Sequence, residues 1–111
     1  MSSREDLVLE ELKNFFKHND IFYIRTNPQN GIGIPDLIAC VNGKFFGIEV
    51  KDNIEGSYRM TQAQYRRLES IVYSGGVGCL VDKNNVLAFE DNICRKCGFE
   101  NQRFGYNKKG Y

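Results

Sequence analysis

The dipeptide Asn42-Gly43 constrains this chain more than any other feature, because strand-forming runs flank it: "PDLIACV" before and "KFFGIEV" after. Asn-Gly supplies the positive φ angles of a two-residue hairpin turn, and a loop of that length fixes the register of both strands. Val41 then faces Lys44, partner numbers keep a constant sum, and Asp36 lies opposite Glu49. Side chains alternate along a strand, so Asp36, Glu49 and Lys51 share one face while Leu37, Ile48 and Val50 point to the other. The hairpin therefore collects two carboxylates and an ammonium on one patch of a sheet.

The remaining segments supply the rest of a fold. Val8, Leu9, Leu12, Phe15 and Phe16 have the spacing of one helical stripe, which predicts a helix from Leu7 to Lys17. "IFYIR", Ile21 to Arg25, reads as a strand running into the turn-rich "TNPQNGIG". Helical spacing returns from Thr61 to Ser74 through Tyr65, Leu68, Ile71 and Val72, and Gly75-Gly76 ends it. "VGCLV" is a further strand, and Val86 to Phe89 a short one. The expected class is α/β, a mixed sheet with flanking helices in the order α-β-β-β-α-β. A single domain is expected over residues 1–90, followed by a polar, basic tail over 91–111 without clear period.

Charge and cysteine content narrow the function classes. Fifteen Lys and Arg against fourteen Asp and Glu give no global basic field, so a polyanionic partner would have to be held by a local patch. No apolar run reaches membrane-spanning length, and "MSSREDLVLEELKNFF" is charged and amphipathic, so a cytoplasmic protein is expected. Of the four cysteines, Cys40 and Cys79 sit in strand-like runs where a reduced thiol acts as a small hydrophobe. A disulfide scaffold is not expected.

The carboxylate pair carries the chemistry. Two unit charges at cross-strand spacing, about 5 Å, repel by roughly 3 kcal/mol at an effective dielectric near 20. A hard cation with an open outer shell, such as Mg²⁺, would compensate them and take its other ligands from water and a substrate phosphate. Lys51 would then lower the pKa of an attacking water or stabilise charge growing on phosphorus. The plainer alternative is a strand start at Asp36 after Pro35, with Glu49 and Lys51 as a solvated salt bridge.

"PD…EVK" resembles the PD-(D/E)xK nuclease signature, and "GIPDLIACVNGKFFGIEVKDNIEGSYRMTQAQYRRL" followed by "GG" resembles the compact stand-alone VRR-NUC domains of phages and bacteria. The resemblance runs from Glu5 to Val81. It implies a restriction-endonuclease-like core and a homodimeric, structure-selective DNA endonuclease dependent on Mg²⁺ or Mn²⁺, working in a bacterial or phage-infected cell. Related domains are Holliday-junction resolvases, flap nucleases and restriction-type enzymes. Asp36, Glu49 and Val50 would be metal ligands and Lys51 catalytic. The family pattern adds an acidic residue from the first helix and a glutamine from the second. Among Glu5, Glu10 and Glu11, Glu5 falls within the apolar stripe, Glu11 on its border and Glu10 opposite, which favours Glu5. Gln64 matches the glutamine, and Thr61-x-x-Gln64 is also a capping box.

Weaker candidates complete the set. Arg25 resembles the family's strand-end arginine, and Arg59, Arg66, Arg67, Arg103, Lys108 and Lys109 could form a basic patch interleaved with Tyr58, Tyr65 and Tyr106. His18 reads as a helix-end residue. "CRKCG" offers Cys94 and Cys97 as one zinc knuckle, half of a tetrahedral site. Tyr73, Phe89, Phe99, Phe104 and Tyr106 lie outside the expected core and could serve a dimer interface. A non-catalytic nucleic-acid-binding module and a zinc adaptor stand beside the nuclease as alternatives.

Overall fold

A computed structural model describes residues 4–27, 32–51 and 60–96. It contains α1 (Arg4–His18), β1 (Phe22–Arg25), β2 (Leu37–Val41), β3 (Lys44–Val50), α2 (Gln62–Tyr73), β4 (Val77–Val81) and α3 (Val86–Lys96). The strands form one sheet in the order β1-β2-β3-β4. β1-β2 and β2-β3 pair antiparallel and β3-β4 parallel, so the sheet is mixed and α2 is the crossover between its parallel strands.

The central hairpin forms as its turn requires. Asn42 and Gly43 have φ of 54° and 82°, Val41 pairs with Lys44, and Leu37 pairs with Ile48. One face of the sheet packs on α1: Val8, Leu9, Leu12 and Phe16 join Leu37, Ala39, Val41, Ile48, Val50 and Val81 in a continuous apolar core. The other face is covered by α2, which packs on β3 and β4. Gly76 and Gly78 allow that approach, since a Cβ at Gly76 would lie 2.9 Å from Ile71 and one at Gly78 3.1 Å from the Leu68 carbonyl. Only Leu68 of the expected α2 stripe is buried; Ile71 is half-buried, and Tyr65 and Val72 are exposed because this helix meets the sheet along a narrow seam.

Three expectations need correction. Val86 to Phe89 begins a helix, not a strand. Buried Asp82 starts it: its Oδ1 accepts from the amides of Asn84 (2.8 Å) and Asn85 (3.1 Å), its carbonyl accepts from Val86 N (3.0 Å), and Asn85 Oδ1 accepts from Asp82 N (2.8 Å). α3 then buries Val86, Glu90 and Ile93, a helical spacing, so the boundary expected after residue 90 falls inside a helix. Phe89 stacks edge-on against Phe46 with ring centroids 6.4 Å apart and is half-buried, which removes it from the exposed aromatics. Cys40 is exposed on β2, while Cys79 is half-buried with its thiol pushed up to about 12 by burial. Among the described residues no helix is long and apolar enough to cross a membrane.

Candidate active site

The site forms where β2 begins and β3 ends. Pro35 and Asp36 precede β2, and Thr26, just past β1, holds them there: its amide donates to the Asp36 carbonyl at 3.0 Å and its hydroxyl to the Pro35 carbonyl. The Val50 amide donates to the Asp36 side chain, at 2.8 Å from Oδ2. Lys51 N donates to the Val81 carbonyl at 2.9 Å on the β4 side. A strand residue's N–H and C=O point the same way and alternate along the chain, so the Val50 carbonyl faces the Asp36 side.

Glu49 lies on the α2 face and is 3% exposed. Its Oε2 accepts from Gln64 Nε2 at 2.8 Å and stands 3.6 Å from Lys51 Nζ. Its Oε1 is buried with no hydrogen-bond partner among the described residues. Burial pushes the Glu49 carboxyl up to about 7, the neighbouring Asp36 carboxyl adds to that rise, and the Lys51 ammonium opposes it without cancelling it. The register read from the hairpin thus does bring Asp36 and Glu49 into electrostatic contact.

Gln64 serves two ends at once. Its Oε1 accepts from Thr61 N (3.0 Å) and its own amide donates to Thr61 Oγ1 (3.1 Å), closing the capping box of α2, while Nε2 reaches Glu49. Arg67 Nε donates to the Ile32 carbonyl at 2.8 Å, tying the segment before β2 to α2. Gly33, at φ +73°, lies against the Ala63–Gln64 backbone so closely that a Cβ would collide with it. The helix start that holds Gln64 is thereby fixed from both sides.

The other candidates lie apart from this cluster. Glu5 is exposed, one turn before the first buried residue of α1, and the charged groups acting on Glu49 are Asp36 and Lys51. The core-facing stripe of α1 packs on the opposite face of the sheet. Glu11 is half-buried beside Glu90, whose carboxyl is pushed up to about 8 by burial first and then by the neighbouring Glu11 carboxyl. Sequence reasoning missed Glu90 because Val86 to Phe89 read as a strand; on a helix, Glu90 follows Val86 by four and precedes Ile93 by three, squarely on the apolar stripe. Glu10 is ion-paired with Lys13 on the exposed side. Arg25 is exposed and alternates with Tyr23's neighbours so that it shares Tyr23's face, the one on which Tyr23 packs against Phe16. Arg66 and Arg67 are exposed on α2, and His18 ends α1. Cys94 is half-buried in α3. Arg59, Tyr58, Cys97, Phe99, Arg103, Phe104, Tyr106, Lys108 and Lys109 lie outside the described residues.

Among the described residues, no group of three or more His, Cys, Asp or Glu side chains gathers as a metal-binding cluster. A cation at this site would have the carboxylates of Asp36 and Glu49 and the carbonyl of Val50. That sparse, all-oxygen set fits Mg²⁺ or Mn²⁺, which keep waters and substrate oxygens in their shells, and the orphaned Glu49 Oε1 is a donor oxygen with lone pairs to give. Comparison of the chain with known protein families, with curated proteins and with solved structures finds no match.

Proposed function

We propose that Asp36, Glu49, Lys51 and Gln64 are the active site of a Mg²⁺- or Mn²⁺-dependent DNA endonuclease of the PD-(D/E)xK kind, similar to VRR-NUC domains and acting on branched DNA such as Holliday junctions. The observation that carries this reading is Glu49: a carboxylate buried beside a second carboxylate, with one oxygen orphaned, is a costly arrangement unless something cationic completes it. When bound, the divalent ion supplies charge neutralisation at the phosphate and makes water a stronger acid. The chain's own groups do the rest. The Val50 amide orients Asp36, Gln64 orients Glu49, and the Lys51 ammonium stands where it can stabilise negative charge growing on a phosphoryl oxygen. Arg66 and Arg67 on the adjacent helix, with Arg59, are the proposed phosphate contacts, and Arg25, on the opposite face of the sheet, is not among them.

One other reading is a nucleic-acid-binding module on the same scaffold without catalysis, in which Lys51 alone offsets the Glu49 carboxylate. A panel of four-way junction, flap, splayed and linear duplexes, incubated with and without Mg²⁺, separates the two. The nuclease cleaves at least one branched substrate in Mg²⁺, and Lys51→Ala loses that cleavage by a hundredfold or more while keeping its fold. Binding with no cleavage of any member, by wild type in Mg²⁺ or Mn²⁺, leaves the module.

A further inference from the structure

Lys51, just past β3, turns its ammonium back to the carboxylate two residues before it. Nζ stands 3.6 Å from Glu49 Oε2, an ion contact longer than a hydrogen bond. The same Oε2 accepts from Gln64 Nε2, while Oε1 is buried with no hydrogen-bond partner among the described residues. The side chains are 16% exposed at Lys51 and 4% at Glu49, so water screens their attraction poorly.

The charges of the cluster do not balance. With Glu49 ionised, Asp36, Glu49 and Lys51 together carry one net negative charge. A divalent cation added to that set leaves one net positive charge, and a phosphodiester arriving with the cation brings the set to neutrality. A cation bonded to either Glu49 oxygen at about 2.1 Å also stands no more than roughly 8 Å from Nζ as placed, within a Debye length, so salt screens their repulsion little. The ammonium and the metal call on one carboxylate.

We infer that Lys51 is the resident counter-ion of Glu49 in the metal-free protein, and that ammonium and divalent cation compete for that carboxylate until a DNA phosphate gives the ammonium another anion. The inference rests on the nuclease reading and specifies its regulation: the free protein binds the ion weakly, and the DNA complex binds it tightly. Such an antagonism, relieved by a third ligand, is a coupling free energy, and it acts equally on metal binding and on DNA binding. One side chain then has two opposite effects, holding metal off the free protein and serving cleavage in the complex.

Calorimetric titration of the DNA-free full chain with Mg²⁺ at pH 8.5, where Glu49 is ionised in the wild type, tests this without catalysis. Lys51→Met and Lys51→Gln, two uncharged variants each checked for folding by circular dichroism, bind Mg²⁺ at least fivefold more tightly than wild type. Lys51→Arg, which keeps the charge, binds it as wild type does. In fluorescence anisotropy with a labelled four-way junction, Ca²⁺, a dication that also takes oxygen ligands, tightens wild-type binding at least fivefold more than it tightens binding by Lys51→Met. Equal or weaker Mg²⁺ binding by the uncharged variants, absence of junction binding by wild type, or an equal Ca²⁺ effect on both proteins each overturns the competition. Cleavage by wild type alongside any of these leaves the nuclease reading standing without it. Charge-dependent Mg²⁺ and junction binding with no cleavage of any substrate upholds the competition and removes the nuclease reading instead.

Discussion

Asp36 and Glu49 set opposing demands on the same few cubic ångströms, and their substitution separates those demands. With no cation, two carboxyls in contact destabilise the fold, so Asp36→Asn melts higher than wild type in EDTA. Millimolar Mg²⁺ raises the wild-type melting temperature by mass action and leaves Asp36→Asn less affected; an unmoved wild-type curve rules out binding by the free protein. Glu49 gives the pH signature. Its folded pKa, about 7, lies above the ordinary 4.5, so the folded state favours the protonated form. The contribution of Glu49 to stability is therefore fully present below 4.5 and is lost as pH rises through 7. Glu49→Gln keeps an oxygen for Gln64 and removes the charge, so its melting temperature exceeds that of wild type at pH 8 and the difference shrinks toward pH 4.5. A gap that stays constant across that range contradicts the burial argument.

Elements differ in how far the sequence announces them, and the reason is chemical. The hairpin is legible because Asn42-Gly43 permits one loop geometry, and register then follows; the positions of Asp36, Glu49 and Lys51 follow in turn. α2 is legible because Thr61 and Gln64 close a capping box, and the same glutamine reaches Glu49. α3 is not, since a short apolar run fits a strand or a helix, and the deciding signal is a side-chain turn at Asp82 and Asn85. Glu5 shows the limit of periodicity: the helical wheel places it on the stripe but does not say where the core beneath ends. α3 carries its own test. Glu90 is 9% exposed and held against Glu11 across the α1–α3 contact, with a carboxyl pushed to about 8 and Oε2 unpartnered. Because that pKa too is raised, α3 loses stability as pH climbs from 4.5 through 8. Amide exchange of residues 86–96 accelerates between pH 6 and 9 beyond the intrinsic base-catalysed rise, and Glu90→Gln abolishes the excess; the same excess in the variant assigns it elsewhere.

At the scale of the whole molecule, one sheet divides its two faces between stability and chemistry. α1 packs on the apolar face, and among the described elements α2 covers part of the other, with Glu49 buried beneath it and Phe22, Ile24 and Phe45 exposed beside it. A four-way junction is two-fold symmetric, and its resolution takes two symmetric nicks, which a C₂ pair of identical sites supplies. The nuclease reading therefore carries a homodimer with it. Exposed apolar residues away from the site exist for such a contact: Tyr73, 85% exposed, and Val72 end α2, and Leu87 projects from α3. The segment beyond α3 can be tested separately, provided the cut falls after Lys96; a cut at Asp91 removes Ile93 from the core and confounds folding with association. Light scattering at micromolar concentration is expected to give a two-chain mass for the full chain. A one-chain mass removes the dimer and requires two successive monomer encounters per junction, and a two-chain mass that survives truncation after Lys96 assigns the interface to the helices and not to the tail.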